Sequence, residues 1–255
     1  LLNLPIPAIY AYSVDPLNPV GAEYIIEEKA RGRPLGNLWH QWETESQLDL
    51  VAQLVDFETK MTSISFRRHG CIYYRKDLEN KGLPTSDLEA EPVSSGDSVK
   101  QLDPALTEKF ALGPLTEARL WEGERASMNL DRGPCKDLTL CREECSLAWL
   151  GTTPLSYMAA MGINEIQWTK QFAKPRIDPY RSLKTPVFPD EYISLLERYL
   201  QLVPYLSPGS FRTSLSHPDL HLDNIFVDPD TKKITCIIDW QSASVSEPFF
   251  QHHTP

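Results

Sequence analysis

The sequence predicts an α+β fold, and three observations carry that reading. Near the start, two short apolar runs at residues 6–13 and 23–27 flank the turn-forming stretch Asp15-Pro16-Leu17-Asn18-Pro19, as an antiparallel pair requires. Through the middle, apolar residues recur at helical spacing over 38–64, 138–149, 155–172 and 189–203. Near the end, Ile225-Phe226-Val227-Asp228 and Ile234-Thr235-Cys236-Ile237-Ile238-Asp239 read as two strands joined by the polar turn Pro229-Asp230-Thr231-Lys232-Lys233.

The chemistry gathers around that last hairpin, which follows the loop Ser216-His217-Pro218-Asp219-Leu220-His221-Leu222-Asp223-Asn224. An Asp followed five residues later by Asn, with a second Asp on the next strand, is a grouping used for phosphoryl transfer. One carboxylate takes the proton of an acceptor hydroxyl, while the amide and the second carboxylate hold the magnesium that bridges nucleotide phosphates. Asp219 is thus the expected base, and Asn224 and Asp239 are the expected metal ligands. Asn224 would open one strand and Asp239 close its partner, so that the turn brings the two together. Asp223, Asp228 and Asp230 read as turn residues bonding nearby backbone. A different chemistry resides in the same letters. His217, Asp219 and His221 alternate, and on a strand they would share a face as the metal ligands of a hydrolase. Pro218 interrupts a regular ladder there, and bracing the loop by hydrogen bonds is the reading for His217 and His221.

These residues carry a resemblance. His217-Pro218-Asp219-Leu220-His221-Leu222-Asp223-Asn224 resembles the H-x-D-x-x-x-x-N catalytic loop of the aminoglycoside phosphotransferase and choline kinase group, and Ile237-Ile238-Asp239-Trp240 resembles its metal-binding segment. The stretch from Ala22 to Gly32 is similar to the interlobe hinge of that group. Gly70-Cys71-Ile72-Tyr73-Tyr74, Gly113-Pro114-Leu115, Asp131-Arg132-Gly133-Pro134 and the helix around Trp168 resemble a fungal branch that includes proteins named for altered inheritance of mitochondria. The resemblance implies a protein-kinase-like fold, mostly its helical C-terminal lobe with a catalytic β-hairpin and a truncated small lobe. It also implies ATP and Mg2+ as cofactors, a hydroxyl acceptor of unidentified, small-molecule type, and adenine held by backbone groups of Glu27, Glu28, Lys29 and Ala30. Residues 1–30 would be the remnant of the small lobe and hinge, and 31–255 a catalytic lobe shortened at its C-terminus. No glycine-rich phosphate loop and no strand Lys with a helix Glu partner can be assigned, so the chain reads as part of a longer protein. The alternative to an enzyme is a pseudokinase-like binding module.

Composition narrows the rest. A formal net charge of −10 argues against a broad nucleic-acid or anionic-membrane surface, and no apolar run is long enough to span a membrane. Five cysteines, at Cys71, Cys135, Cys141, Cys145 and Cys236, are an odd set that suits a reduced, intracellular compartment. Cys135, Cys141 and Cys145 lack paired spacing and a fourth zinc ligand. The resemblance leans toward mitochondria over cytoplasm. Oligomeric state has no signature in the sequence.

In chain order, the helical region 38–64 is expected to break near 44–47, with Trp39, Trp42, Leu48, Val51, Leu54, Val55 and Met61 among its apolar positions. A strand at 70–75 follows, then a flexible surface loop over 79–104, rich in Ser, Asp, Glu and Pro. A strand and turn occupy 110–121. Arg119, Arg125 and Arg132 are candidates for an anionic substrate, with a solvated surface as the default. The helix from Pro189, with Tyr192, Leu195, Leu196, Tyr199, Leu200 and Val203 on its apolar face, is expected to pack behind the catalytic loop.

Overall fold

A computed structural model describes residues 2–93, 103–133, 154–177, 185–206 and 212–246. In chain order the strands and helices are β1 (Ile9–Ser13), β2 (Tyr24–Glu27), β3 (Arg33–Pro34), α1 (Thr44–Thr62), β4 (Ile64–Phe66), β5 (Cys71–Tyr74), α2 (Arg75–Asn80), β6 (Ser86–Asp87), β7 (Ala90–Pro92), α3 (Pro104–Lys109), β8 (Phe110–Gly113), α4 (Ala118–Trp121), α5 (Pro154–Phe172), α6 (Pro189–Leu206), β9 (Ser214–Ser216), β10 (Ile225–Val227), β11 (Ile234–Ile237) and β12 (Ser244–Ser246). The mixture of helix and short antiparallel strands is the expected α+β class. The expected helix over 138–149 and the Cys135, Cys141 and Cys145 cluster lie outside the described residues.

Two compact units divide the chain. One draws on Leu1–Ser63 and Ser216–Gln241, the other on Ile64–Leu215 and Ser242–Gln251. The segment just beyond residue 30 is sewn to the β10–β11 hairpin.

In the first unit, β1 and β2 pair antiparallel around the expected turn, where Asn18 Oδ1 accepts from Val20 and Gly21 N–H groups. A second sheet has the order β11-β10-β3. Its core face joins Ile225, Val227 and Ile237, each 0% exposed, to Leu35, Leu38, Leu220 and four residues of α1: Leu50, Leu54, Phe57 and Met61. α1 begins where Trp42 and Glu43 are extended, a little before the expected break. The face turned inward also differs from expectation. Leu50, Leu54, Phe57 and Met61 follow the i, i+4, i+7, i+11 stripe, leaving Leu48, Val51 and Val55 exposed. Two apolar stripes compete on this helix, and tertiary packing selects the one that carries Phe57. Gln53 then fastens α1 to the hairpin turn, donating from Nε2 to Lys232 O at 3.1 Å and accepting from Ile234 N–H at 3.0 Å.

In the second unit, β5, β8 and β6 form an antiparallel sheet in the order β5-β8-β6, β4 pairs with β7, and β9 pairs with β12. Part of the expected loop at 79–104 is therefore sheet: β6 bonds to β8 and β7 to β4, and Leu88 between them is buried with Phe66, Leu112 and Val245. A polar, Pro-rich composition does not reveal this, because edge strands two or three residues long bury only one side chain apiece. α6 packs on α5. Tyr199 OH donates to Met158 O at 3.0 Å, and Gly162 leaves room for Tyr199 and Leu200. The helix expected to stand behind the catalytic loop thus has α5 as its partner, and α1 fills the expected role within the first unit.

The arginines are neither free nor merely solvated. Arg119 pairs with Glu117 and donates to Tyr157 OH. Arg125 pairs with Glu165 at 2.5 Å and lies over the Trp168 ring. Arg132 lies over Trp121 and donates to Leu120 O and Arg125 O. They cross-link the second unit.

Candidate active site

The loop at 217–224 is held by its own polar atoms. His217 is buried, 6% exposed. Its Nδ1 accepts the Asp219 N–H at 3.2 Å, so the neutral ring carries its proton on Nε2 and donates to Ile238 O at 2.8 Å. Burial pushes the His217 pKa down, favouring that neutral form. Trp240 meets the ring edge-on with centroids 4.8 Å apart, and Phe57 of α1 meets Trp240 in turn. His217 is the expected brace, and it ties the loop to the strand end that leads into Asp239.

Asn224 is 7% exposed and ends the 3-10 turn Leu222–Asn224 just before β10, one residue short of the expected strand position. Its Nδ2 donates to the Asp219 carbonyl at 2.9 Å, and its carbonyl accepts the Ile238 N–H at 3.0 Å. The Asp219 carbonyl also accepts the His221 N–H at 3.0 Å. Three bonds thus fix the Asp219 backbone while its carboxylate stays 61% exposed. With its amide N–H committed, Asn224 has Oδ1 to offer as a hard oxygen ligand.

Asp239 lies two residues beyond β11 rather than on the strand. Its φ is +63°, a left-handed conformation that costs a non-glycine residue about 1 kcal/mol. The carboxylate is exposed and makes no hydrogen bond or ion pair among the described residues. Backbone strain paired with an uncommitted carboxylate is characteristic of functional positions. Because Ile225 faces Ile237 in the β10–β11 register and Ile238 bonds Asn224, the hairpin brings Asn224 and the Asp239 segment to one end. An amide oxygen beside a free carboxylate suits magnesium, which takes one or two protein oxygens and keeps several waters.

The rival metal reading fails on this geometry. Both ring nitrogens of His217 are already bonded, and no group of three His, Cys, Asp or Glu side chains comes together to hold a metal among the described residues.

The expected hinge lies beside the hairpin. Glu27 ends β2 opposite Ile9, and Glu28 gives its N–H to Ala8 O at 2.8 Å and its carboxylate to Arg31 at 2.8 Å. Among the described residues, Lys29 and Ala30 make no backbone hydrogen bond, so their backbone groups can bond a ligand edge. The link onward was not legible in the sequence. Thr235 donates to Arg31 O at 2.6 Å, and β3 pairs with β10 through Arg33 and Pro34. Gly32, at φ +93°, lets the chain pass Val227 O where a Cβ would stand 2.3 Å away. The signal that could have found it is the Gly-Arg-Pro run at 32–34 just after a strand.

Asp228 is the expected turn residue. It accepts from Asp230 N–H at 3.0 Å and from Thr231 N–H at 2.7 Å, and these bonds hold its carboxyl below its ordinary pKa.

Comparison with known proteins agrees with this chemistry. Residues 151–250, which include the loop and hairpin, match the phosphotransferase enzyme family. A subtelomeric hrmA-associated cluster protein of Aspergillus fumigatus is 33% identical over 275 aligned residues, covering 100% of this chain and 50% of that protein. Altered inheritance of mitochondria protein 9, mitochondrial, of Zygosaccharomyces rouxii is 25% identical over 276 residues, covering 100% of this chain and 40% of the relative. A Saccharomyces cerevisiae protein of the same name is 23% identical over 281 residues with the same coverage. The chain spans half or less of the length of these curated relatives. No solved structure matches the chain.

Proposed function

We propose, for a chain whose residues 151–250 match a phosphotransferase family, that the protein it comes from transfers the γ-phosphate of ATP to a hydroxyl, on a protein-kinase-like scaffold. The observation that carries the reading is the clamp of Asn224 Nδ2 on the Asp219 carbonyl at 2.9 Å. It fixes the backbone of Asp219 and leaves the amide oxygen of Asn224 uncommitted. Asp219 accepts the proton of the acceptor hydroxyl, the freed oxygen bonds to the γ-phosphorus, and the bond to the β–γ bridging oxygen breaks to release ADP. Asn224 Oδ1 and Asp239 would hold magnesium, which would supply charge neutralisation at the phosphates. Lys29 and Ala30, in the segment that follows β2, offer backbone groups to the adenine edge. The proposed acceptor is a small molecule; the proposed location is mitochondrial, in line with the names of the Zygosaccharomyces rouxii and Saccharomyces cerevisiae relatives. No helix among the described residues is long and apolar enough to cross a membrane.

The test uses the full-length protein. Magnesium-ATP should raise its melting temperature, and this rise should vanish in Asp239→Asn. Asp219→Asn should keep the rise and lose phosphoryl transfer by a factor of about 10² or more. Retained transfer in Asp219→Asn overturns the assignment, and nucleotide binding without transfer in the wild type assigns a binding module instead.

A further inference from the structure

The backbone of Asp219 is fixed by three hydrogen bonds, yet nothing described so far aims its carboxylate. Two side-chain torsions separate that fixed backbone from the oxygen that must meet a hydroxyl, and a base loosely aimed loses rate. One neighbour stands at the carboxylate. His221 Nε2 is 3.5 Å from Asp219 Oδ2. The other ring nitrogen, Nδ1, accepts the Asp223 N–H at 3.2 Å as the cap of the 3-10 turn. A neutral imidazole that accepts at Nδ1 carries its proton at Nε2, so the cap itself determines that an N–H faces Asp219. The loop repeats one device twice. His217 accepts the N–H two residues on and points its Nε2–H inward at Ile238 O. His221 also accepts the N–H two residues on, and its Nε2 stands 3.5 Å from Asp219 Oδ2.

We propose that His221 is a positioning residue for the base: its Nε2–H holds Asp219 Oδ2 and leaves Oδ1 to take the proton of the acceptor hydroxyl. The contact of 3.5 Å is longer than a formed hydrogen bond, and it shortens when a bound acceptor orders the carboxylate. This inference rests on the reading of Asp219 as base. It assigns His221 two separable tasks, capping through Nδ1 and aiming through Nε2.

Two substitutions separate them. His221→Asn places an oxygen where Nδ1 was, so it keeps the cap and loses the aiming donor. His221→Gln places an amide N–H at the reach of Nε2, so it keeps the donor and loses the cap. The assay is magnesium-dependent ATP hydrolysis by the full-length protein, with water as the acceptor hydroxyl, alongside Asp219→Asn. His221→Asn should lower kcat about tenfold, a part of the ~10² that positioned proton transfer supplies, with KM for magnesium-ATP unchanged. His221→Gln should retain turnover to within about threefold of wild type. Any other ranking overturns the proposal, including both variants holding or both falling together. If Asp219→Asn hydrolyses ATP as wild type does, the functional reading itself fails. If Asp219→Asn is inactive and His221→Asn is not impaired, only the positioning role fails. Nitrogen-15 spectra of the histidines read the geometry without turnover, and a His221 ring protonated at Nδ1 overturns it directly.

Discussion

His69 should make the second unit acid-labile. The residue is 1% exposed, neither ring nitrogen has a hydrogen-bond partner among the described residues, and the ring stacks on Tyr157 with centroids 5.1 Å apart. Burial holds its pKa down to about 4. In an unfolded chain an imidazole titrates near 6.5. Between those two values the unfolded state binds the proton and the folded state refuses it, so stability is lost as the pH falls. The full penalty is present above neither value, grows from about pH 6.5 downward, and saturates below about pH 4. It reaches roughly 2 kcal/mol at pH 5 and roughly 3 kcal/mol at saturation. For units of this size 2 kcal/mol is about 4–8 °C in melting temperature. His69→Phe keeps a ring against Tyr157 and removes both orphaned nitrogens, so it should match or exceed wild-type stability near pH 7.5. The assay is thermal unfolding of both proteins at about pH 7.5 and pH 5. Every other titrating group cancels in the difference between them, which should widen by roughly 2 kcal/mol at the lower pH. A difference of equal size at both pH values would refute the reasoning.

Two further outcomes follow from the site. Gly32→Ala places a Cβ against Val227 O in a backbone of φ +93°, so it should cost roughly 2–4 kcal/mol and weaken the pairing of β3 with β10, read as a lowered urea midpoint. Asp239→Gly relieves the φ of +63° and should hold or raise the melting temperature by a degree or more, for about 1 kcal/mol of strain removed. The same variant should lose all stabilisation by magnesium-ATP; persistence of that stabilisation would exclude Asp239 as a ligand.

The site was legible because most of its geometry is local. His217, Asp219, His221 and Asn224 lie within eight residues, and each meets another through a hydrogen bond between side chain and backbone or a turn of two to five residues. The hairpin that adds Asp239 closes through the six residues 228–233, whose polar composition marks a turn. The strand pair at the start was equally readable. What escaped was the support. Leu48, Val51 and Val55 look as apolar as Leu50, Leu54 and Phe57, and no periodicity chooses between two stripes on one helix. β3, β6 and β7 are two or three residues long, too short for alternation to register. Arg119, Arg125 and Arg132 carry no mark in sequence that they cross-link one unit.

By itself the sequence determined which chemical groups stand in the loop and their order, because bonds between near neighbours depend on little beyond residue type and spacing. Only the tertiary structure decided what holds that loop in place. α1 turns Phe57 toward Trp240 and grips the hairpin turn through Gln53, and the 31–34 segment becomes a third strand beside β10. Those contacts join residues about 180 to 204 positions apart. They were selected by which apolar faces exclude the most water together, a property of the assembled unit and not of any one stretch of chain.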